Sequence, residues 1–573
     1  MKFFHVYNET YFEGLEKNGL INDESGFKIQ HVFALEENMK FNRFAAKGTK
    51  LHSVIKDGKY PFYVDRIAGG VTYHKYLFDK ALIREYKALL GDWFLGFQLH
   101  ESGNNRALDW QRVYDRMEGS KGPYDAEVLA SRSIRENAVT PTGEVLFGFS
   151  QGSPEEYAAL RYPETPEAFV VEMTGLFQRR MEETDGIILP CDSYHLFTKI
   201  QNDLGMNTFM PEVGCQIPHM RIAVALARGM ALANKKCWGV YYECWRATPG
   251  VGYTMPCFNK EPGNEWYLTQ QTHPDDFTSY GPNGGSSRLL QKRIYYYALM
   301  SGARYLAEEW GLNCSYSNMN TFELSEYGEV KKEFINYSLD YRNMEAQIPF
   351  AIVLPSDYPC IQLTSEWGKV GQWRTQYLGR NMTQEQIRHY GKIEDVLKTV
   401  FFREEKDVCG NEGHVLQNSR FGDLFDIIYE DASEEVFAKY DCLIDASDGS
   451  KFSAHWNDRF RILNTGDVET FAAELERMSK EILPCTVDTL HWMLSYDEKG
   501  RYVTIFNNEG NERDLTQGDI IHHEADAVAK VSLKEPAEIK CIKSSCEQVK
   551  INRLDDTTYT VEIPAAEFVI LQY

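Results

Sequence analysis

Trp93-Phe94-Leu95-Gly96-Phe97-Gln98-Leu99-His100-Glu101 is an apolar run that ends in a histidine and a carboxylate, and it follows the amphipathic stretch 79–90. A helix-period segment running into a short buried strand is the repeating unit of a parallel α/β sheet. The same alternation extends both ways, from about residue 27 to 311. Eight runs have strand character: 28–35, 61–66, 93–101, 145–150, 187–192, 208–213, 238–245 and 304–310. Between them lie helix-like stretches such as 79–90, 166–183, 194–204, 218–234 and 286–301, several ending in Gly or Asn as helix C-termini commonly do. Eight strands each followed by a helix close most simply into a (β/α)8 TIM barrel, here assigned to residues 1–345. A doubly wound open sheet is the alternative, and it is weakened because no strand runs into a GxGxxG turn.

Beyond the barrel the pattern changes twice. Phe350-Ala351-Ile352-Val353-Leu354-Pro355 opens a second alternating series, with buried strands at 424–429 and 440–446 and helices at 392–402 and 468–482. That series predicts a small flavodoxin-like α/β domain over 346–485. From about Thr486 the runs take a period of two, at 501–507, 528–533, 558–563 and 568–573, separated by turn signals such as Asn508-Glu509-Gly510. An antiparallel β-sandwich is expected over 486–573.

Composition narrows the function classes. A formal net charge of −23 would repel phosphate backbones, so a general nucleic-acid binder is not expected. Met1-Lys2-Phe3-Phe4-His5 is not followed by an apolar segment of signal-peptide length, and no run approaches the roughly 20 apolar residues of a membrane span. A soluble cytoplasmic protein is the expectation. The 12 cysteines form no CxxC pair or zinc-finger spacing, and Cys191, Cys237 and Cys244 fall inside apolar runs, so buried reduced thiols are expected rather than disulfides.

Active sites of such barrels are built at the C-terminal ends of the strands, and here those ends are acidic. The runs close on Val64-Asp65-Arg66, Gln98-Leu99-His100-Glu101, Pro190-Cys191-Asp192, Met210-Pro211-Glu212, Tyr242-Glu243-Cys244-Trp245 and Ala307-Glu308-Glu309-Trp310. One carboxylate at a strand end often does no more than cap a helix or pair with an Arg. Five or six at one mouth are a chemical resource: crowded anions raise one another's pKa, so one member can donate a proton while another stays ionised. Glycoside hydrolysis needs that pair, one acid for the leaving oxygen and one carboxylate to attack or to activate water.

Other chemistries leave different marks. The barrel has no HxH and no HExxH, so a dedicated transition-metal site is not expected, and no cofactor is. Gly148-Phe149-Ser150-Gln151-Gly152 only approaches a nucleophile elbow, and there is no P-loop. Trp110, Tyr194, Trp245, Trp266 and Trp310 lie beside the acids and divide between sugar-stacking surface and core. The connection 246–285 exceeds an ordinary βα loop and is read as the rim of a substrate cleft.

The stretches Pro61-Phe62-Tyr63-Val64-Asp65-Arg66-Ile67-Ala68-Gly69-Gly70, Phe94 to Glu101, and Tyr295-Tyr296-Tyr297-Ala298-Leu299-Met300-Ser301-Gly302, followed by Ala307-Glu308-Glu309-Trp310-Gly311, resemble the catalytic barrel of glycoside hydrolase family 98. That family holds endo-β-galactosidases and xylanases, and its mechanism is inverting. The resemblance covers at most the first 345 residues. It implies Glu101 as general acid and Asp192 with Glu243 as the pair that holds the attacking water. Asp65, Arg66, His100, Tyr194, Glu212, Trp245, Glu308, Glu309 and Trp310 are then the residues expected to bind substrate. The flavodoxin-like segment instead resembles the trimer-forming domain of family 42 β-galactosidases, which implies a homo-oligomer.

The residues alone leave three classes open. A glycosidase cutting a β-linked oligosaccharide comes first, of galactose or xylose type as the family resemblance implies, with a retaining exo-β-glycosidase as its variant. A non-catalytic carbohydrate-binding barrel is second, and a lyase or isomerase using the same carboxylates with a divalent ion is third. Parity raises one difficulty: with Gln98 and His100 pointing into the barrel, Glu101 points away unless the strand has ended or bulged.

Overall fold

The computed structural model describes residues 1–7, 9–30, 47–65, 80–100, 103, 163, 165–192, 197–214, 219–244, 246–248, 252–255, 279–280, 285–309, 314–318, 320–358, 381–403, 416, 419, 421–447, 451–514, 517–546 and 549–573. Its first half is a ring of parallel strands, each followed by a helix. In chain order they are β1 (Lys2–Val6), α1 (Glu9–Lys17), β2 (Ser25–Gln30), α2 (Lys50–Gly58), β3 (Phe62–Asp65), α3 (Lys80–Leu90), β4 (Phe94–His100), α4 (Pro166–Glu183), β5 (Ile188–Cys191) and α5 (Thr198–Asp203). The sixth strand comes in two pieces, β6a (Thr208–Phe209) and β6b (Glu212–Gly214). After it come α6 (Met220–Ala233), β7 (Cys237–Glu243), α7 (Arg288–Met300), β8 (Tyr305–Glu309) and α8 (Glu326–Asp340).

Side-chain caps start several helices where the chain leaves the ring. Thr165 accepts from Ala168 N ahead of α4, Ser287 from Leu290 N ahead of α7, and Ser325 from Gly328 N ahead of α8. The strands pair in chain order, and β8 returns to β1 with Lys2 opposite Tyr305. Backbone bonds span the remaining seam, Met210 N to Pro190 O at 3.1 Å and Glu212 N to Asp192 O at 3.2 Å. Phe4, Tyr63, Leu189, Cys191, Met210, Tyr241 and Ala307 fill the interior, while the outward residues of the same strands pack on the helices.

Two sequence expectations change. Lys2–Val6 is a barrel strand that lies outside the eight runs with strand character. The run 145–150, taken as a strand, lies outside the described residues, and β4 pairs directly with β5, so the ring is complete without it. The strand bearing His100 is therefore fourth in the ring and stands opposite β8, not opposite β7.

The second half holds a four-stranded parallel sheet made of β9 (Phe350–Leu354), β10 (Phe425–Tyr429), β11 (Cys442–Asp445) and β12 (Ile462–Asn464), in the order β10-β9-β11-β12. Antiparallel sheets follow, one of five strands and one of four, and Glu345–Ala346 joins the five-stranded sheet beside His491–Asp497. α6 is buried between the barrel and the parallel sheet, so every residue from Met220 to Ala231 is covered. A Cβ on its Gly229 would lie 2.3 Å from Ile427 O, so only glycine lets the helix approach β10 this closely. At this seam Arg228 Nε donates to Asp426 Oδ1 at 2.6 Å, and Arg221 donates to the carbonyls of Phe401 and Gly422. Tyr296 and Tyr297 of α7 pack on Phe568, His491 and Phe506 of the antiparallel region. Among the described residues no helix is long and apolar enough to cross a membrane.

Candidate active site

A local irregularity aims β4 into the barrel. Phe62 is opposite Phe94 but Tyr63 is opposite Gly96, so β4 carries one extra residue there, and Gly96 sits at φ 107°. Before this bulge Phe94 faces the helices; after it Phe97 and Leu99 do. Gln98 and His100 thus point inward, a parity that an unbulged strand starting from Phe94 would reverse. A Cβ on Gly96 would meet Ile187 Cγ2 at 2.4 Å and Ile187 O at 2.6 Å, a second reason for glycine.

Alternation places three carboxylates on the same inner face. On β7 Val240 and Tyr242 face outward while Tyr241 and Glu243 face in; on β8 Leu306 faces outward while Ala307 and Glu309 face in. Glu309 is in register with Glu243, and on β6b Glu212 is in register with Tyr241. Gly214 is opposite Glu243, and a Cβ there would lie 2.6 Å from Glu243 Oε2, so the missing side chain makes room for the carboxylate.

From β4, His100 Nε2 stands 3.6 Å from Glu309 Oε1 and 3.9 Å from Glu212 Oε1. His100, Glu212, Glu243 and Glu309 are at most 3 % exposed. Lys28 on β2, wholly buried, donates to Tyr241 OH at 3.3 Å and lies over its ring. Below His100 the carboxamide of Gln98 is fully buried, and among the described residues neither its oxygen nor its nitrogen has a hydrogen-bond partner.

The strand ends are tied together at this level. Cys244 Sγ donates to Glu309 O at 2.9 Å and lies 3.4 Å from Cys314 Sγ. Burial and the neighbouring Cys244 hold the Cys314 thiol well above its ordinary pKa, so it is a neutral packing group. Ser286 N donates to Cys244 O at 2.9 Å, and Ser286 Oγ meets Tyr242 OH. The residues flanking Glu243 are thereby fixed to the start of α7.

Not every expected acid joins the group. Glu308 points the other way, outside the barrel wall, where Lys331 Nζ pairs with it at 2.5 Å and Gln291 and Tyr295 donate to it. Asp192 is nearly buried and receives Gly103 N on Oδ1 at 3.1 Å and Gln201 Nε2 on Oδ2 at 2.5 Å, so it fastens the segment after β4 to α5. Asp65 ends β3. Glu101, Arg66, Tyr194, Trp245 and Trp310 lie outside the described residues, as do Trp110 and Trp266. Cys191 and Cys244 are buried and reduced as expected, while Cys237 is exposed at the start of β7.

Sequence reading missed Lys28 and Gln98. The signal was present: in Phe27-Lys28-Ile29-Gln30 the apolar residues take one parity and the polar ones the other, and in a barrel wall the apolar face belongs to the helices.

No family model matches this chain, and no curated protein matches it. Among solved structures, an alpha-L-fucosidase isoenzyme 2 from Paenibacillus thiaminolyticus aligns over 99% of this chain and 96% of its own, at 9% identity and a TM-score of 0.45. A rhamnosidase from Novosphingobium sp. PP1Y aligns over 86% of this chain and 46% of its own, at 8% identity and a TM-score of 0.30. An alpha-amylase from H. orenii aligns over 100% and 99%, at 10% identity and a TM-score of 0.20. Likeness at these scores assigns no activity, and the chemistry is read from the chain's own residues.

Proposed function

We propose that the protein is a glycoside hydrolase whose acid and base are carboxylates at the C-terminal mouth of the barrel. One observation carries the reading: Glu212, Glu243 and Glu309 come from three neighbouring strands to one buried inner face, with His100 beside them. Removing that many carboxylates from water is costly and is seldom retained without chemical use. Glu243, at the tip of β7 and fixed on both chain sides, is the base that activates water. Glu101, the next residue after His100, is the general acid. Glu212 and Glu309 bind and orient the sugar rather than transfer protons, while Asp192 positions the segment that follows β4.

The substrate proposed is a β-linked oligosaccharide of galactose or xylose type, cleaved with inversion. Support for inversion comes from the family resemblance, and the carboxyl separation of an inverting pair, roughly 6.5–9.5 Å, is its structural criterion. We further propose that residues 346–485 and 486–573 are separate non-catalytic units serving packing and homo-oligomer contacts.

The test is a panel of β-galacto- and β-xylo-oligosaccharides assayed with wild type and Glu243→Gln. Cleavage by the former, lost in the latter, is expected, with NMR of the first-formed product showing the inverted anomer. Binding without cleavage across the panel would replace the hydrolase by a carbohydrate-binding barrel.

A further inference from the structure

We propose that His100, Glu212 and Glu309 form a seat for a divalent first-row transition cation, Zn²⁺ or Mn²⁺, beside Glu243. The three residues come from β4, β6b and β8, separated along the chain by roughly a hundred residues at each step, which is why no HxH or HExxH spacing announces them. One ligand atom from each lies within 4.8 Å of the other two, and all three residues are buried. Bonds of about 2.1 Å to a tetrahedral ion place ligand atoms about 3.4 Å apart. The observed 3.6 Å and 3.9 Å from His100 Nε2 to the two carboxylates need closing by only a few tenths of an ångström.

An imidazole nitrogen with two carboxylate oxygens suits zinc or manganese; an all-oxygen cage would suit magnesium or calcium. With three protein ligands, further positions stay available for water or a substrate hydroxyl.

Gln98 supplies the independent observation. It precedes His100 by two residues on the same inward face of β4, so its side chain enters the lumen one pleat, about 6.6–6.8 Å, beneath the imidazole. It is fully buried, and its oxygen and nitrogen have no hydrogen-bond partner among the described residues. Two unanswered polar atoms at such a depth cost stability, and a metal-bound water above them answers both needs. The site does not require the hydrolase reading, since the same ion would serve a lyase or a binding protein equally.

The full-length protein is stripped with chelator and titrated calorimetrically with Zn²⁺ and, separately, Mn²⁺, with Mg²⁺ and Ca²⁺ as comparison arms. Bound metal per chain is then measured by elemental analysis after dialysis. One equivalent of Zn²⁺ or Mn²⁺ is expected, together with a raised melting temperature on loading. His100→Ala and Glu309→Gln should abolish binding, and Gln98→Leu should weaken it by about 10- to 100-fold. Circular dichroism establishes that each variant is folded; where His100→Ala is not, the near-isosteric Glu212→Gln and Glu309→Gln decide. Substoichiometric metal in folded wild type overturns the site. Stoichiometric binding that survives Glu212→Gln and Glu309→Gln overturns it as well. Activity is not the readout, so an inactive protein that binds metal rejects the hydrolase alone.

Discussion

His100 on β4 and Glu309 on β8 meet across the barrel, Nε2 to Oε1 at 3.6 Å, although their strands stand four places apart in the ring. The contact caps the packed interior at the C-terminal mouth of the barrel. Glu243 lies at that mouth, beside Glu309 in the β7–β8 register. Replacing it with glutamine keeps shape and removes the proposed base, so kcat should fall by about 10²- to 10⁴-fold with little change in KM. Turnover near wild type in that variant removes Glu243 from the proton-transfer step.

Glu308 should behave oppositely to its neighbour. Its carboxylate answers the buried ammonium of Lys331, and Glu308→Gln takes away that counter-charge. A loss of about 3–5 kcal/mol in urea unfolding is expected, with kcat of the folded fraction largely kept. A stable Glu308→Gln protein with damaged kcat would return Glu308 to the site.

Gly96 links backbone to chemistry. Alanine there must displace Ile187 or flatten the bulge, and flattening the bulge turns His100 away from Glu212 and Glu309. Gly96→Ala is expected to lower the melting temperature and to cost activity beyond what the loss of folded protein explains. Full activity in the folded fraction would show that the bulge does not set the orientation of His100.

These cases show what sequence carries and what it leaves out. Strands that begin and end on apolar runs were legible, and the helix 468–482 and the strand 558–563 match their expected bounds. Lys2–Val6 was not, because its polar Lys2 and His5 and its place at the chain start give no helix before it to define a βα unit. The strand-end acids were legible as a set. Their directions were not: Glu308 and Glu309 are adjacent in sequence and face opposite sides of the wall, and only the register with β7 separates them. The Gly96 bulge is likewise invisible to a period-two reading, which assumes that parity is kept.

The seam between α6 and the parallel sheet should show the asymmetry of a buried ion pair. Arg228 and Asp426 are both buried, and Tyr440 OH also donates to Asp426 at 2.9 Å. Arg228→Met alone should cost about 3–5 kcal/mol, while Arg228→Met combined with Asp426→Leu should recover much of that loss. Additive losses in the double variant would mean that the two residues act through separate contacts.

Acid should weaken the fold before its carboxylates titrate. Burial, with the charge of Lys331, pushes His5 down to about 3 from its ordinary 6.5. Burial and Arg221 outweigh Asp423 in pushing His491 down to about 4. Both histidines are neutral in the folded protein, whereas the unfolded chain takes up their protons below pH 6.5. Their contribution is therefore fully present above pH 6.5 and erodes as the pH falls through 6.5 toward 4, at up to about 1.4 kcal/mol per unit for each group. Asp423 acts lower: burial would raise it, but Arg221, His491 and Arg228 hold it below its ordinary 3.8, so its share is lost only as the pH drops beneath that value. Urea unfolding followed from about pH 7 down to about pH 5 should show falling stability, and His491→Gln should reduce the slope by about half. A flat profile over that interval, or an unchanged slope in His491→Gln, would mean that these imidazoles are protonated within the folded protein.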